Sequence, residues 1–248
     1  MEKRLSLIIP TCNRRQLAIE SVRTLRAFAG ALTEDYEIIV VDDGSTGDEQ
    51  LQQADLPEGV LLITHPQNRG KGAAIRSGML AACGHCRIFT DVDLPYDLEF
   101  IPQALRLIES GYFHFVAGDR THKSSRCGVE VSLMRSVTSA VLCWLVQLLV
   151  MGGIFDTQCG FKAFSGSLAE ILFPLLTIDR FGFDVELFYL LYKCDITIKR
   201  LPVCLSRQGA SSVSPLADGA SMACDVLKLP LKWHLHSYAV ESLLKFED

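Results

Sequence analysis

Tyr36-Glu-Ile-Ile-Val-Val-Asp-Asp-Gly-Ser45 is a β-branched apolar run that stops at two carboxylates, a glycine and a serine. A short unbroken apolar run bounded by turn residues reads as a strand covered on both faces, as in a parallel sheet. Leu5-Ser-Leu-Ile-Ile-Pro-Thr-Cys-Asn13, upstream, has the same form. Further strand patterns fall at 60–64, 87–90 and 113–117, with helical patterns between them at 15–29, 46–54, 70–83 and 97–110. Strands alternating with helices make successive βα units, so the expected fold is α/β, a mostly parallel central sheet flanked by helices. In such sheets ligands bind at the carboxyl ends of the strands. The second half predicts an uncharged stretch at 136–155, a Gly/polar turn at 156–162, a helix at 183–193 and a strand at 196–202.

The chain has 248 residues, 49% hydrophobic and 21% charged, which excludes a disulfide-stapled miniprotein and a disordered or collagen-like chain. Lys and Arg number 24 against 29 Asp and Glu, so the basic excess of a nucleic-acid-binding protein is absent. Nine cysteines, an odd number set largely in apolar stretches, predict reduced thiols in a reducing compartment. Cys83-Gly-His-Cys86 has the spacing of a redox or zinc pair but lacks a second pair at ligand spacing, so a structural reading is preferred. The first apolar run is too short for a signal peptide and ends at Pro10, so no export signal is expected.

Four strand ends carry polar clusters. Adjacent carboxylates such as Asp42 and Asp43 serve either a ligand or the cap of a following helix, with Asp43 or Ser45 as the capping residue. Asn68-Arg-Gly-Lys-Gly72 offers close backbone approach and a cation at a helix start, which suits an anion, although its glycine spacing is not that of a Walker loop. Asp91-Val-Asp93 places two carboxylates on one face of an extended segment. Their mutual repulsion is relieved if they share Mg²⁺ or Mn²⁺, hard cations usually held by one or two carboxylates plus substrate phosphates.

Taken in order, Ile8-Ile-Pro-Thr-Cys-Asn13, Val40-Val-Asp-Asp-Gly-Ser45, Asn68-Arg-Gly-Lys-Gly-Ala-Ala74 and Asp91-Val-Asp93 resemble the signature of family 2 glycosyltransferases with the GT-A fold. The resemblance continues through Gly118-Asp-Arg120, Asp156-Thr-Gln-Cys-Gly-Phe-Lys162, Phe183-Asp-Val-Glu186 and Gly209-Ala-Ser-Ser-Val-Ser-Pro215, most like the subgroup that moves a hexose from a nucleotide sugar to a polyprenyl phosphate. It implies a GT-A nucleotide-diphospho-sugar transferase fold, with a catalytic domain over 1–205 and an acceptor-side segment with an amphipathic tail over 206–248. It implies nucleotide binding by Pro10, Thr11, Asn13, Asp43, Asn68, Gly70, Lys71, Asp91 and Val92, and a metal on Asp91 and Asp93. Arg120 and Arg135 are expected to meet the acceptor phosphate and Gln158 to line the donor-sugar pocket. The expected donor is UDP-glucose, with GDP-mannose as the alternative, and the expected acceptor is dolichyl or undecaprenyl phosphate.

Two features depart from that pattern. Leu94 is followed by Pro95, where the mannosyl-transferring relatives resemble Leu-Gln, and Gly209-Ala-Ser-Ser212 lacks the lysine of Gly-Ser-Lys. Two other functions are therefore weighed: transfer to a sugar hydroxyl with Asp184 as base, and a non-catalytic nucleotide-sugar-binding module. The Asp91-Val-Asp93 pair argues against the second. The stretch 136–155 is long enough to cross a bilayer, but a span there would separate Asp91 from the 156–162 motif, so a buried or membrane-facing helix is expected. The tail at 225–244 mixes leucines with Lys228, Lys232, His234 and His236, a composition suited to a membrane interface or to a packed amphipathic helix interrupted at Pro230. Peripheral contact at the cytoplasmic face of a membrane is the expectation.

Overall fold

In a computed structural model, the residues described are 3–122, 125, 156–205, 217–235 and 237–246. Arg135, the stretch 136–155, and the segment 209–215 lie outside them. Among the described residues seven strands form one sheet: β1 (Lys3–Thr11), β2 (Tyr36–Asp42), β3 (Val60–Thr64), β4 (Gly84–Thr90), β5 (Phe115–Asp119), β6 (Phe161–Ser165) and β7 (Ile198–Pro202). Their order is β3-β2-β1-β4-β6-β5-β7, and all run parallel except β6, which is reversed against both β4 and β5. The expected α/β fold is the observed one. Every residue from Leu5 to Thr11 in β1 is buried, as a strand covered on both faces requires.

Helix α1 (Arg15–Leu32) lays Ala18, Ile19, Val22, Leu25 and Ala29 on the sheet, the i, i+3, i+4, i+7 spacing of a single apolar stripe. Helix α2 (Lys71–Ala81) follows β3, and α3 (Phe100–Glu109) follows β4. Between β2 and β3 the expected helix over 46–54 is instead two 3₁₀ turns, Gly47–Glu49 and Gln53–Asp55. Gly47 sits at φ +58°, and the Asp42 carboxylate draws in the Leu51 amide at 3.0 Å, so the backbone is tied down before a helix can propagate.

The expected turn over 156–162 ends inside β6, which is followed by α4 (Gly166–Leu172). Ser165 caps that helix by accepting from the Leu168 amide at 3.2 Å. β6 carries Phe164 into a cluster of Phe89, Phe115 and Phe173. Because β6 is reversed, it starts at the edge where β4 ends, with Thr90 paired to Phe161. Chain positions roughly 70 residues apart thus meet at one edge, beside α5 (Phe183–Lys193).

Helix α6 (Ala217–His234) runs through Pro230 without the expected interruption. One face buries Met222, Val226 and Leu229, while Leu227 and Leu231 are exposed. No helix among the described residues is long and apolar enough to cross a membrane. The seven cysteines among the described residues are free thiols, and Cys83 and Cys86 lie one outside and one inside the sheet.

Candidate active site

The carboxyl ends of β1, β2 and β4, the start of β6 and the start of α2 converge on one edge of the sheet. β1 delivers Thr11, whose hydroxyl is buried without a hydrogen-bond partner among the described residues. A buried orphan hydroxyl is uncommon and calls for a partner that a ligand or a water can supply. Asn13 follows at φ +51°, a conformation asparagine tolerates better than most residues. Its side-chain oxygen accepts from the Thr46 amide at 3.0 Å and its own amide donates to Ser45 Oγ at 2.7 Å, locking the β1 and β2 ends together. Pro10 lies buried within β1, paired with Val41.

The two carboxylates ending β2 divide their work. Asp42 accepts from the Ser45 and Leu51 amides and shapes its own loop. Asp43 turns to the next βα unit, accepting from the Arg69 amide at 3.0 Å, the Gly70 amide at 2.7 Å and His65 Nδ1 at 2.7 Å. His65 Nε2 in turn meets Ser77 Oγ at 2.9 Å. Asp43 is therefore not the cap of the segment that follows it; it anchors the loop leading into α2. Asp43→Ala leaves two backbone amides and a histidine without their acceptor. It is expected to destabilise the fold by about 2–5 kcal/mol, read as a lower denaturation midpoint.

Gly70 opens α2 at φ +112°, where a side chain would overlap the Asp179 carbonyl oxygen at 2.5 Å. Asn68 Nδ2 donates to Cys12 Sγ at 3.1 Å, closing this loop over the end of β1. The next residue, Lys71, reaches across to Asp91, with Nζ 2.6 Å from Oδ1. Burial alone would lower the pKa of this ammonium, but Asp91 and Asp184 together leave it raised, so Lys71 is a fixed cation.

Asp91 and Asp93 bracket Val92, whose carbonyl is tied to Ser21 Oγ of α1. A tight turn follows, in which the Leu94 amide donates to the Asp91 carbonyl at 3.0 Å and Leu94 takes φ +44°. Burial, then the negative charge of Asp91, push the Asp93 carboxyl above the usual carboxylate range. Gly160 completes the cradle: a Cβ there would lie 2.5 Å from Asp91 Cγ and overlap the carboxylate. Asp93, its carboxyl raised in part by the charge of Asp91, together with Asp91 in a socket that Gly160 leaves open, fits a hard divalent cation.

Just after β5, Arg120 grips Asp156 with Nε at 2.9 Å and Nη2 at 2.7 Å, a bidentate fork. The pair joins the end of β5 to the approach to β6. Gln158 Nε2 donates to Met222 Sδ of α6 at 2.7 Å. Asp184, at the start of α5, is 4% exposed and ion-pairs at 2.6 Å with Lys162, which is fully buried. The sequence reading assigned no role to His65, Gly160, Lys162 or Asp156. A pointer existed for the last three, since they flank Gln158 in a polar run inside apolar sequence, whereas His65 gives no local signal.

This geometry, a parallel sheet whose strand ends carry an anion cradle beside paired carboxylates, is that of a nucleotide-diphospho-sugar transferase. The sequence profile described as Glycosyl transferase family 2 matches residues 6–170. The chain belongs to that family, and the protein is a glycosyltransferase. Among similar proteins, the dolichyl-phosphate beta-glucosyltransferase of Dictyostelium discoideum is 30% identical over 252 residues, covering 96% of this chain and 77% of its own. That of Homo sapiens is 29% identical over 259 residues, covering 98% and 80%. In solved structures, glucosyl-3-phosphoglycerate synthase from Mycobacterium tuberculosis, in complex with Mn²⁺, UDP-glucose and phosphoglyceric acid, superposes with TM-score 0.64. It is 20% identical, and the match covers 99% of this chain and 81% of that one, which establishes the GT-A fold.

Proposed function

We propose that this glycosyltransferase moves glucose from UDP-glucose to dolichyl phosphate or a similar polyprenyl phosphate, with inversion at the anomeric carbon. Dolichyl-phosphate glucosyltransferases that align over nearly the whole chain support this reading. The observation that carries it within the site is the state of Asp184. A hydroxyl acceptor needs a carboxylate that can take its proton, yet Asp184 is buried and bound to Lys162, and Asp156 is engaged by Arg120. A phosphate acceptor is already an anion and needs no such base.

In this reading Thr11, Asn13, Asn68 and the 69–71 loop hold the nucleotide, with Asp43 acting through the loop amides it binds. Asp91 and Asp93 would hold Mg²⁺ or Mn²⁺, which as a Lewis acid neutralises charge on the departing diphosphate. Lys71 is poised to do the same from the other side. An acceptor phosphate oxygen bonds to the anomeric carbon as the bond to the diphosphate oxygen breaks, and the electron pair leaves with UDP. Arg120, 36% exposed at its side chain, has more N–H groups than Asp156 uses and would meet the acceptor phosphate, a role also assigned to Arg135. Gln158 lines the sugar pocket. The leucines exposed on α6 beside Lys228 support peripheral contact with the membrane that carries such an acceptor.

The test incubates the full chain with UDP-glucose, Mn²⁺ and a short polyprenyl phosphate and reads the lipid by mass spectrometry. One added hexose on the phosphate is expected, with little transfer from GDP-mannose. Transfer to a neutral sugar hydroxyl but not to the lipid phosphate would overturn the assignment.

A further inference from the structure

Glu186, in the first turn of α5, is fully buried and has no part in the transfer step. Its Oε2 accepts from the Thr177 and Ile178 amides, each at 2.8 Å. Its Oε1 accepts from the Thr177 hydroxyl at 2.5 Å and the Tyr238 hydroxyl at 2.7 Å. A carboxylate offers about four lone-pair sites, and these bonds fill them. Burial, then the charge of Glu186, push the pKa of the Tyr238 hydroxyl up, which keeps it a donor. Lys232 of α6 donates to the Thr177 hydroxyl at 2.6 Å and lies 3.7 Å from Glu186 Oε1. Two of these partners, Tyr238 and Lys232, thus come from near the end of the chain.

The segment they hold, 176–179, braces the anion cradle. Asp179 offers its carbonyl to the Ala73 amide at 3.0 Å, taking up one of the amides that the first turn of a helix leaves unpaired. The same carbonyl oxygen stands 2.5 Å from where a Cβ on Gly70 would lie, and the Ile178 carbonyl oxygen 2.6 Å from one on Gly72. From α2, Arg76 donates to the Leu176 carbonyl at 2.8 Å and to Asp179 Oδ1 at 2.5 Å. An unbroken run of direct contacts therefore joins Tyr238 and Lys232 to Gly70 and to the helix start that carries Lys71.

We propose that Glu186 is a positioning residue for the donor diphosphate: with Tyr238 and Lys232 it sets the 176–179 loop, and through that loop the backbone of Gly70 to Ala73. The proposal rests on the nucleotide reading of the 69–71 loop. It gives the C-terminal segment a share in the donor side of the site, beyond the acceptor side to which its sequence resemblance assigns it.

The test measures UDP binding to the full chain by calorimetry in Mn²⁺, well below the thermal midpoint, and then the kinetics of glucosyl transfer. Tyr238→Phe and Lys232→Met are each expected to weaken UDP binding about fivefold, within the range for groups acting through a packed network. The KM for UDP-glucose should rise to match, while kcat and the acceptor KM change by less than about twofold. In an Arg76→Met background, which releases the loop from its other side, Tyr238→Phe should cost less than about twofold, because both act on one segment. Leu105→Ala, in the apolar cluster on the opposite face of the sheet, is the control: it should lower the thermal midpoint and leave UDP affinity unchanged. A Tyr238→Phe variant that loses thermal stability but binds UDP as the wild type does would mark a merely structural contact. Losses that add fully with Arg76→Met, or an equal loss of affinity in Leu105→Ala, would mean that the loop does not carry the effect; any of these overturns the proposal. If Tyr238→Phe does not fold, Lys232→Met, which leaves the bonds to Glu186 in place, carries the same expectations. Wild type that binds no UDP would overturn the nucleotide reading as well, whereas wild-type binding that both variants leave unchanged overturns this proposal alone.

Discussion

Asp91→Asn and Asp93→Asn should each lower glucosyl transfer by roughly 10²–10³-fold, the range seen when one preorganised group facing developing charge is removed. Excess chelator should do the same to the wild type. The fold is expected to survive both changes, and at Asp93 the sign of the stability effect is informative. Its carboxyl is held above the usual range by burial and by Asp91. A carboxyl whose pKa is raised on folding costs stability above that pKa, and the cost disappears as pH falls through it. Asp93→Asn should therefore keep or raise the thermal midpoint at neutral pH while activity collapses. Full turnover by either variant, or transfer that continues in excess chelator, would remove the metal from the mechanism.

Gly160→Ala is expected to be nearly as damaging without touching a charge. The added methyl would overlap the Asp91 carboxylate, which cannot retreat without breaking its contact with Lys71. A displacement of about 1 Å in a catalytic group can cost on the order of 10²-fold in rate, and Mn²⁺ affinity should fall with it. Gly30→Ala is the control: it lies within α1, and its methyl would meet Tyr36 Oη at an ordinary 3.5 Å. That change should be silent or mildly stabilising, by up to about 1 kcal/mol, because alanine suits a helix better. If Gly160→Ala retains wild-type kinetics, Asp91 is not held as the geometry requires.

The parallel half of the sheet could be read from sequence because each of its strands is an apolar run buried on both faces and ended by a polar cluster. The observed β2 and β3 match the expected spans to within a residue. The reversed strand escaped notice because Phe161-Lys-Ala-Phe-Ser165 carries a lysine at its second position. A charge there reads as a turn, and its burial is made tolerable by the Asp184 partner, 22 positions away, with the Cys159 carbonyl. Gly47 broke a helix that the periodicity over 46–54 favoured. At the site, the residues offered to ligand were legible as clusters at strand ends. The residues that hold them in place, His65 behind Asp43 and Gly160 behind Asp91, depend on contacts between distant segments and leave little local trace.

The Arg120–Asp156 fork joins positions 36 apart, at the end of one strand and just before its reversed neighbour begins. Chain leaves the sheet at Arg120 and returns at Asp156 through a doorway that is already bolted shut. Closing a loop costs little more as the loop grows, each doubling adding only about 0.6 kcal/mol. What lies between those two residues can therefore be lengthened, shortened or exchanged by evolution with little strain on the donor half of the enzyme. The donor side of the sheet is thereby closed off by its own clasp, and chimaeras exchanged between Arg120 and Asp156 should keep its thermal stability.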